Sequence, residues 1–222
     1  MLKGFSMKPL PILLIASTLV LTADAQNHRK HTKEAVDPCD CHDPKGTRHY
    51  RYAAKHETDF DKYPKSDVDI TSVTIFKWQK HYSKLTKVIT GKLRTMARLK
   101  STPEDTLYTL KGWLYFVKDE GAGSDPDCDY HIEIGLKKPS GQRAVVEITK
   151  NNCALQKKVA DYLIALGYHW KNRAIELAKG IRCTVVGLGF YDGAHPPSQH
   201  GRATTAGSSW ELHPVKSLEF EE

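Results

Sequence analysis

The densest run of side chains that could do chemistry is Asp-Cys-Asp-Tyr-His-Ile-Glu, residues 127–133. In a β-strand the side chains alternate, so Asp129, His131 and Glu133 share one face at steps of about 6–7 Å. Carboxylates and an imidazole at this spacing predict a divalent-metal site, for zinc or a first-row ion, with Asp127, Asp129 and His131 as candidate ligands. An ordinary strand with one wet face has the same pattern, because every second residue is then polar.

A second group of such side chains lies in Trp-Glu-Leu-His-Pro-Val, residues 210–215. Alternation puts Glu211 and His213 on one face, where they can pair with each other or with His131 and Glu147 of neighbouring strands. A catalytic pair needs a tuned pKa, whereas a buried pair can simply satisfy a strand end. No Gly-x-Ser-x-Gly nucleophile motif accompanies the pair, which favours the structural role. The catalytic candidates are Asp129, His131, Glu133, Glu147, Glu211 and His213.

The elements that must position these residues alternate between strand and helix periods. Strands are predicted at 106–117, 129–136, 144–149, 181–192 and 209–220. Apolar residues of 155–166 fall on one face of a helix, and a second short helix is predicted for Ala-Ile-Glu-Leu-Ala-Lys, residues 174–179. Three strands, a helix and two strands predict a mainly β (α+β) fold, a five-stranded OB-like barrel, with an α+β sandwich as the alternative.

The first 25 residues have the pattern of a secretory signal peptide. Basic residues precede an apolar run at 10–21, and Ala23-Asp24-Ala25 gives a cleavage motif. The run is shorter than the roughly 20 residues of a membrane span, so no transmembrane anchor is expected after cleavage. The pattern predicts a protein exported to the periplasm or secreted, in which disulfides can form.

Composition divides the rest of the chain into three parts. Residues 26–55 are polar and lack an apolar period, which predicts a linker or loosely ordered arm. Residues 56–103 are predicted to form a basic, partly helical extension, and 104–222 the barrel domain. The odd count of five cysteines leaves at least one thiol unpaired, or paired with another chain. Cys39 or Cys41 could bond to the barrel, Cys128 and Cys153 could be brought together, and the sequence leaves the pairing open.

A basic block lies ahead of the barrel, because no acidic residue occurs from Ile70 to Pro103. Together with exposed aromatics on the first strand, it predicts an interface for a polyanion, such as nucleic acid or an acidic glycan, or for a protein partner. A solvated helix face, with the aromatics covered by the helical segment, is the alternative. The candidate binding residues are Trp113, Tyr115, Lys111, Lys80, Lys84, Lys87, Arg94 and Arg98.

Several motifs together resemble a group of exported bacterial proteins with a small OB-like barrel and a poorly defined function. The motifs are KHETD (55–59), LKGWLYFVKDE (110–120), DCDYHIEI (127–134), VVEIT (145–149), VVGLGFYDGAH (185–195) and WELHPV (210–215). The resemblance implies export and a barrel, and it transfers no catalytic residue. The thermonuclease type of OB barrel needs two arginines at the scissile phosphate, and strand three offers only Arg143, which counts against such a nuclease.

Three functional hypotheses follow from these observations, and the plainest is a structural envelope protein without a ligand. We favour a non-enzymatic, exported OB-like domain that binds a polyanion or a partner protein. The alternative is a metal-dependent hydrolase that uses the His/carboxylate cluster, with Asp129, His131, Glu133 and His213. No cofactor is expected under the favoured hypothesis, and a divalent metal is the only one under the alternative.

Overall fold

A computed structural model of the chain describes residues 38–41, 51–83, 98–121, 127–137, 141–195 and 207–221. All of them belong to the unit Lys33–Glu222. None of the helices in these ranges has both the length and the apolar character of a bilayer-spanning helix. The predicted signal peptide lies outside the described residues, as do Lys84, Lys87 and Arg94 of the predicted polyanion interface.

Five strands build one sheet, which confirms the mainly β, α+β prediction. They are β1 (Leu107–Asp119), β2 (Tyr130–Gly135), β3 (Arg143–Ile148), β4 (Ala174–Tyr191) and β5 (Trp210–Phe220). The sheet closes into a barrel in the order β1-β2-β3-β5-β4. Paired strands are antiparallel except β3 and β5, which run parallel and meet where Val146 pairs with Leu212. This last contact brings the end of the chain beside its middle.

One face of each strand fills the barrel interior. On β2, Tyr130, Ile132 and Ile134 are buried in the core, and Val146 of β3 and Leu212 of β5 join them. Because successive side chains point to opposite faces, the residues between these positions lie on the outside of the barrel. The polar residues singled out in the sequence therefore share the outer face of three neighbouring strands.

The amphipathic helix predicted between β3 and β4 is confirmed as α3 (Cys153–Ala165). Leu155, Val159 and Leu163 occupy the same face at four-residue steps and belong to the core. The helix is also tied to the ends of two strands, because Gln156 Nε2 donates to the carbonyls of Cys128 and Ile148. Burial of this stripe fixes α3 against the sheet.

The short helix predicted for residues 174–179 is wrong, because these residues form the first third of β4. Ile175 and Leu177 are buried whereas Glu176 and Ala178 are exposed, which is the two-residue period of a strand. The segment pairs with β1, where Val117 lies opposite Ile175. Alanine, glutamate, leucine and lysine favour helices only weakly, so pairing with a long neighbouring strand overrides their preference.

Within the described ranges, two α-helices precede the barrel: α1 (Tyr52–Lys55) and α2 (Ser72–His81). α2 is the described helical part of the predicted basic extension, and it buries Ile75 and Trp78. The Trp78 ring packs edge to face against Trp210 of β5, with 6.0 Å between ring centroids. α2 therefore meets the barrel at the start of β5.

Two disulfides attach the Cys-x-Cys segment to the barrel. Cys39 is bonded to Cys153, the first residue of α3, and Cys41 is bonded to Cys128, just ahead of β2. Cys183 is a buried free thiol. Bonding of the arm to the barrel is thus observed, and a bond between Cys128 and Cys153 is not.

Candidate metal centre

The outer faces of β2, β3 and β5 carry a buried cluster of imidazoles and carboxylates. The cluster comprises all six catalytic candidates, each at most 7 % exposed: Asp129, His131, Glu133, Glu147, Glu211 and His213. The paired strands β2 and β3, with the residue just ahead of β2, supply four of them, and the parallel contact of β3 with the distant β5 brings Glu147 beside Glu211 and His213. We call these six residues the His/carboxylate cluster.

His213 has carboxylates at both of its ring nitrogens. Nδ1 is hydrogen bonded to Glu211 Oε1 at 3.0 Å and lies 2.8 Å from Glu147 Oε2. Nε2 lies 3.3 Å from Asp129 Oδ2, and neither of these two atoms has a hydrogen bond among the described residues. When both nitrogens carry protons, His213 faces Glu211 and Asp129 with one N–H each; when the proton stays on Nδ1 alone, the Nε2 lone pair is free for an ion held between it and Asp129. This is how a carboxylate orients a metal-binding imidazole.

Glu147 joins His213 to a second imidazole. His131 of β2 is the cross-strand partner of Glu147, and His131 Nδ1 lies 3.3 Å from Glu147 Oε1. The two oxygens of Glu147 therefore face different histidines, Oε1 towards His131 and Oε2 towards His213. On its other side, His131 Nε2 lies 4.0 Å from Glu133 Oε1, without a hydrogen bond in the described ranges.

Burial and charge act in opposite directions on the pKa values of these groups. Burial lowers the pKa of His213, but the Glu147 charge and the contacts with Asp129, Glu147 and Glu211 outweigh it and hold the pKa well above its usual range. The pKa of His131 is also raised, because the Glu147 contact outweighs burial. Burial raises the pKa of Glu147, yet the two histidines hold it well below the usual range. The carboxylates thus favour positive charge between them, which a divalent cation can also supply.

Groups at the edge of the cluster hold two of its carboxylates in place. Asp129 Oδ1 accepts a hydrogen bond from the backbone N of Lys150 at 3.1 Å, which leaves Oδ2 for His213. Glu133 Oε2 accepts from Arg143 Nη1 at 2.9 Å. Arg143 is therefore the cationic partner of a buried carboxylate.

Two acidic residues ahead of β2 lie next to the cluster. Asp127, a predicted metal ligand, accepts a hydrogen bond from the backbone N of Asp129 at 3.3 Å. Burial and the charge of Asp129 raise the pKa of Asp127 to about 7. Glu120 was missed in the sequence, although its backbone N donates to Asp129 O and its carboxylate lies within 4.8 Å of ligand atoms of His131 and Glu147. The sequence feature that could have identified Glu120 is its place in the acidic segment between β1 and β2.

Two sets of three residues thus have the spacing of a metal site. The first is Asp129, Glu147 and His213, and the second is Glu120, His131 and Glu147. In each set one ligand atom of every residue lies within 4.8 Å of the others. The two sets share Glu147.

The residues predicted to bind a polyanion do not form one described surface. Lys80 is exposed on α2, Lys111 pairs with Asp69 at 2.7 Å, and Trp113 is half-buried. The expected exposure of Tyr115 is not observed, because a register shift between Leu114 and Phe116 breaks the alternation of β1 and buries the ring.

Arg98, the last described residue of that predicted interface, binds the barrel itself. Its guanidinium donates to the backbone carbonyls of Ala54, Gly189 and His213, each at 2.7 Å. A side chain bound in this way joins three segments of the fold. Polyanion binding by the basic block stays a prediction.

Comparison with known proteins assigns no function to this site. No protein-family model matches the chain, and no curated protein sequence matches it.

Proposed function

We propose that the protein binds a divalent metal ion through Asp129, Glu147 and His213. The observation that carries this proposal is a set of buried atoms without hydrogen bonds. Within the part of the chain that the structure describes, Asp129 Oδ2, Glu147 Oε2 and His213 Nε2 all lack one. Buried polar atoms nearly always have a partner, and one ligand atom of each of these three residues lies within 4.8 Å of the other two, so a shared ion accounts for all three.

The donor types and their spacing favour zinc or another first-row ion. One imidazole nitrogen and two carboxylate oxygens are a typical donor set for such ions. Two ligands about 2.1 Å from a tetrahedral ion lie about 3.4 Å apart. His213 Nε2 and Asp129 Oδ2 are 3.3 Å apart, so an ion fits between them with little movement. Glu211 then acts as the outer carboxylate that fixes the imidazole.

The setting that we propose for this site is an exported, OB-like barrel. The strand order, the parallel contact of β3 with β5 and the position of α3 between β3 and β4 all support OB-like topology. Two disulfides favour an oxidising compartment, in line with the signal peptide predicted for residues 1–25.

The test measures zinc binding to chelator-treated protein by calorimetry. The metal content of the protein as purified is measured in parallel. The wild-type chain is expected to bind zinc tightly, and His213→Asn is expected to lose at least tenfold in affinity at this site. His169→Asn is the matched control, because His169 is exposed and lies outside both metal sets. Zinc binding that is absent in the wild type, or equally strong in His213→Asn, would contradict the proposal.

A metal-dependent hydrolase is the second candidate function. Catalytic zinc sites use three protein ligands and leave a fourth position for water, and the first set supplies three. The test is hydrolysis of chromogenic phosphodiester and carboxylic ester substrates by the zinc-loaded protein. Activity that His213→Asn abolishes and His169→Asn retains supports this candidate, and no turnover by the wild type removes it.

A further inference from the structure

We infer that the cluster holds two metal ions, with Glu147 as the ligand that they share. This inference rests on the proposed function, which needs only the first ion. It adds a second site formed by Glu120, His131 and Glu147, whose ligand atoms lie within 4.8 Å of one another. The argument has four parts: the geometry of Glu147, the surroundings of His131, the position of Glu120 and the charges around the cluster.

Glu147 has the geometry of a bridging carboxylate. A carboxylate that bridges two ions offers one oxygen to each, and paired metal ions lie about 3.5–4 Å apart. Glu147 Oε1 lies 3.3 Å from His131 Nδ1, and Oε2 lies 2.8 Å from His213 Nδ1. The first contact is a hydrogen bond, which an ion held between the two atoms would replace. Glu147 therefore has one oxygen beside each histidine ring, which is the placement that a shared ligand needs.

The surroundings of His131 point to a ligand independently of His213. His131 is 7 % exposed, and its Nε2 has no hydrogen bond among the described residues. A neutral imidazole carries one proton and one lone pair. Carboxylates on both sides, Glu147 at Nδ1 and Glu133 near Nε2, can accept that proton, so either nitrogen is available to an ion.

Glu120 completes the second site from the end of β1. Its backbone hydrogen bond to Asp129 holds it at the cluster, and its side chain is 26 % exposed. The carboxylate pairs with Lys118 Nζ at 2.7 Å, and the lysine is 49 % exposed. Exposed ion pairs contribute little stability, so a divalent cation beside His131 and Glu147 competes with Lys118 for this carboxylate.

The charges around the cluster also favour bound cations. Five carboxylates converge here: Glu120, Asp129, Glu133, Glu147 and Glu211. Three cationic side chains act on them: Arg143 is paired with Glu133, Lys118 is paired with Glu120, and the charge of the buried Lys55 acts on Glu147 and Glu211. The carboxylates outnumber these cationic side chains, and divalent ions would supply further positive charge.

The experiment is a titration of chelator-treated full-length protein with Co²⁺, in which binding is measured by visible absorption and by calorimetry. The wild type is expected to bind two equivalents, and Glu120→Gln one. Glu219→Gln is the matched control. Like Glu120, Glu219 is a glutamate paired with a lysine, but it belongs to neither metal set. Glu120 is partly exposed, so its variant is expected to keep the wild-type circular dichroism spectrum.

The outcomes separate this inference from the proposed function. Two equivalents for the wild type that fall to one in Glu120→Gln support the second site. One equivalent for both proteins overturns it and leaves the first site in place. No binding by the wild type overturns both proposals, whereas two equivalents for both proteins overturn the placement at Glu120. Mn²⁺-loaded wild type should give an exchange-coupled electron paramagnetic resonance spectrum, and two uncoupled ions would overturn the sharing of Glu147.

Discussion

Two buried groups of charged residues lie on this barrel, and they differ in how completely they are hydrogen bonded. In the first, Arg51 and Glu104 form a fully buried bidentate pair, with distances of 2.6 and 2.5 Å. Glu104 also accepts hydrogen bonds from the backbone N of Leu99 and of Tyr191, at 2.7 and 2.8 Å. Each oxygen of Glu104 thus has two donors, and we call this group the Arg51–Glu104 pair.

The His/carboxylate cluster is equally buried but leaves acceptor and donor atoms without hydrogen bonds. Asp129 Oδ2, Glu147 Oε2 and one nitrogen of each histidine are in this state, counting described residues only. A saturated ion pair joins segments of the fold and has no capacity for a ligand. Burial alone therefore does not mark a binding site; burial together with unsatisfied metal-ligating atoms does.

Arg98 lies between the two groups and touches both. Its Nη1 donates to the carbonyl of Glu104 at 3.3 Å, and its Nη2 donates to the carbonyl of His213 at 2.7 Å. The contacts are made to backbone atoms, so they fix the position of the chain and leave the side chains of Glu104 and His213 to their own partners. The two groups are therefore expected to respond separately to substitution.

The largest effect is expected from breaking the Arg51–Glu104 pair. Arg51→Met leaves the Glu104 carboxylate buried without its cation, which lowers the free energy of unfolding by about 3–5 kcal/mol. Urea denaturation measures this loss. Arg182→Met is the control, because Arg182 is 58 % exposed in its pair with Glu221 and should change stability by under about 0.5 kcal/mol.

Metal binding by Arg51→Met sharpens the comparison further. The variant should still bind metal with the wild-type stoichiometry under conditions in which it remains folded, because Arg51 contributes nothing to either ligand set. Loss of metal from the folded variant would show that the two groups act as one network.

The next largest effect is expected from removing the disulfide beside the cluster. Cys41 and Cys128 are 87 residues apart, so Cys41→Ala with Cys128→Ala should lower the free energy of unfolding by about 2–4 kcal/mol. Cys128 directly precedes Asp129, so zinc affinity should also fall by about tenfold, as when an outer-shell support is lost.

The second disulfide provides the comparison. Cys39→Ala with Cys153→Ala removes a bond of sequence separation 114, so a similar loss of stability is expected. Cys153 begins the helix α3 and has no proposed metal ligand next to it in sequence, so zinc affinity should change less. Equal losses of affinity in both double variants would mean that general loosening, and not the position of Asp129, governs binding.

A smaller effect is expected from zinc itself, measured as the increase that bound zinc gives to the free energy of unfolding. A ligand at 100 times its dissociation constant adds about 2.7 kcal/mol to the free energy of unfolding. Zinc at that level should produce this increment in the wild type, and His213→Asn should lose most of it. Thermal or urea unfolding with and without zinc measures the difference within each protein, so the lower starting stability of the variant does not enter. An unchanged increment in His213→Asn would remove His213 from the site.

Local periodicity was enough to predict the five strands, α3 and the outer face that carries the cluster. The two-residue period assigned Asp129, His131 and Glu133 to one side without knowledge of the fold. It failed at residues 174–179, where helix-favouring side chains form a strand because β1 pairs with them. It also failed at Tyr115, because a register shift is set by the neighbouring strands and has no mark in the local sequence.

Contacts between distant residues account for what the sequence did not show. The Arg51–Glu104 pair spans 53 residues, and the disulfide partners are farther apart still. No spacing rule links such positions. Whether His213 would meet Glu147 depended on the parallel contact of β3 with β5, and alternation alone offered it as one option among several.

The smallest expected effect concerns a second histidine–carboxylate pair, in which the exposed His195 contacts the buried Asp192. The Nδ1–Oδ2 distance is 2.7 Å, and the hydrogen bond from Asp192 is the main reason that the pKa of His195 is raised to about 9. A pKa raised from about 6.5 means that the folded state holds the proton more tightly, so the pair stabilises fully below about pH 6.5 and loses this contribution as the pH rises through about 9. The His195 side chain is 57 % exposed, and solvent screening keeps the contribution under about 1 kcal/mol.

The measurement is the difference in unfolding free energy between wild type and His195→Gln, followed from about pH 6 to about pH 10. Taking the difference cancels the titration of the buried histidines, which both proteins share. The wild type should be more stable by a few tenths of a kcal/mol at the acid end, and the gap should close towards the alkaline end. A gap that stays constant with pH would mean that His195 contributes through packing. The His195–Asp192 pair would then differ in kind from the buried cluster, whose carboxylates raise the pKa values of His131 and His213.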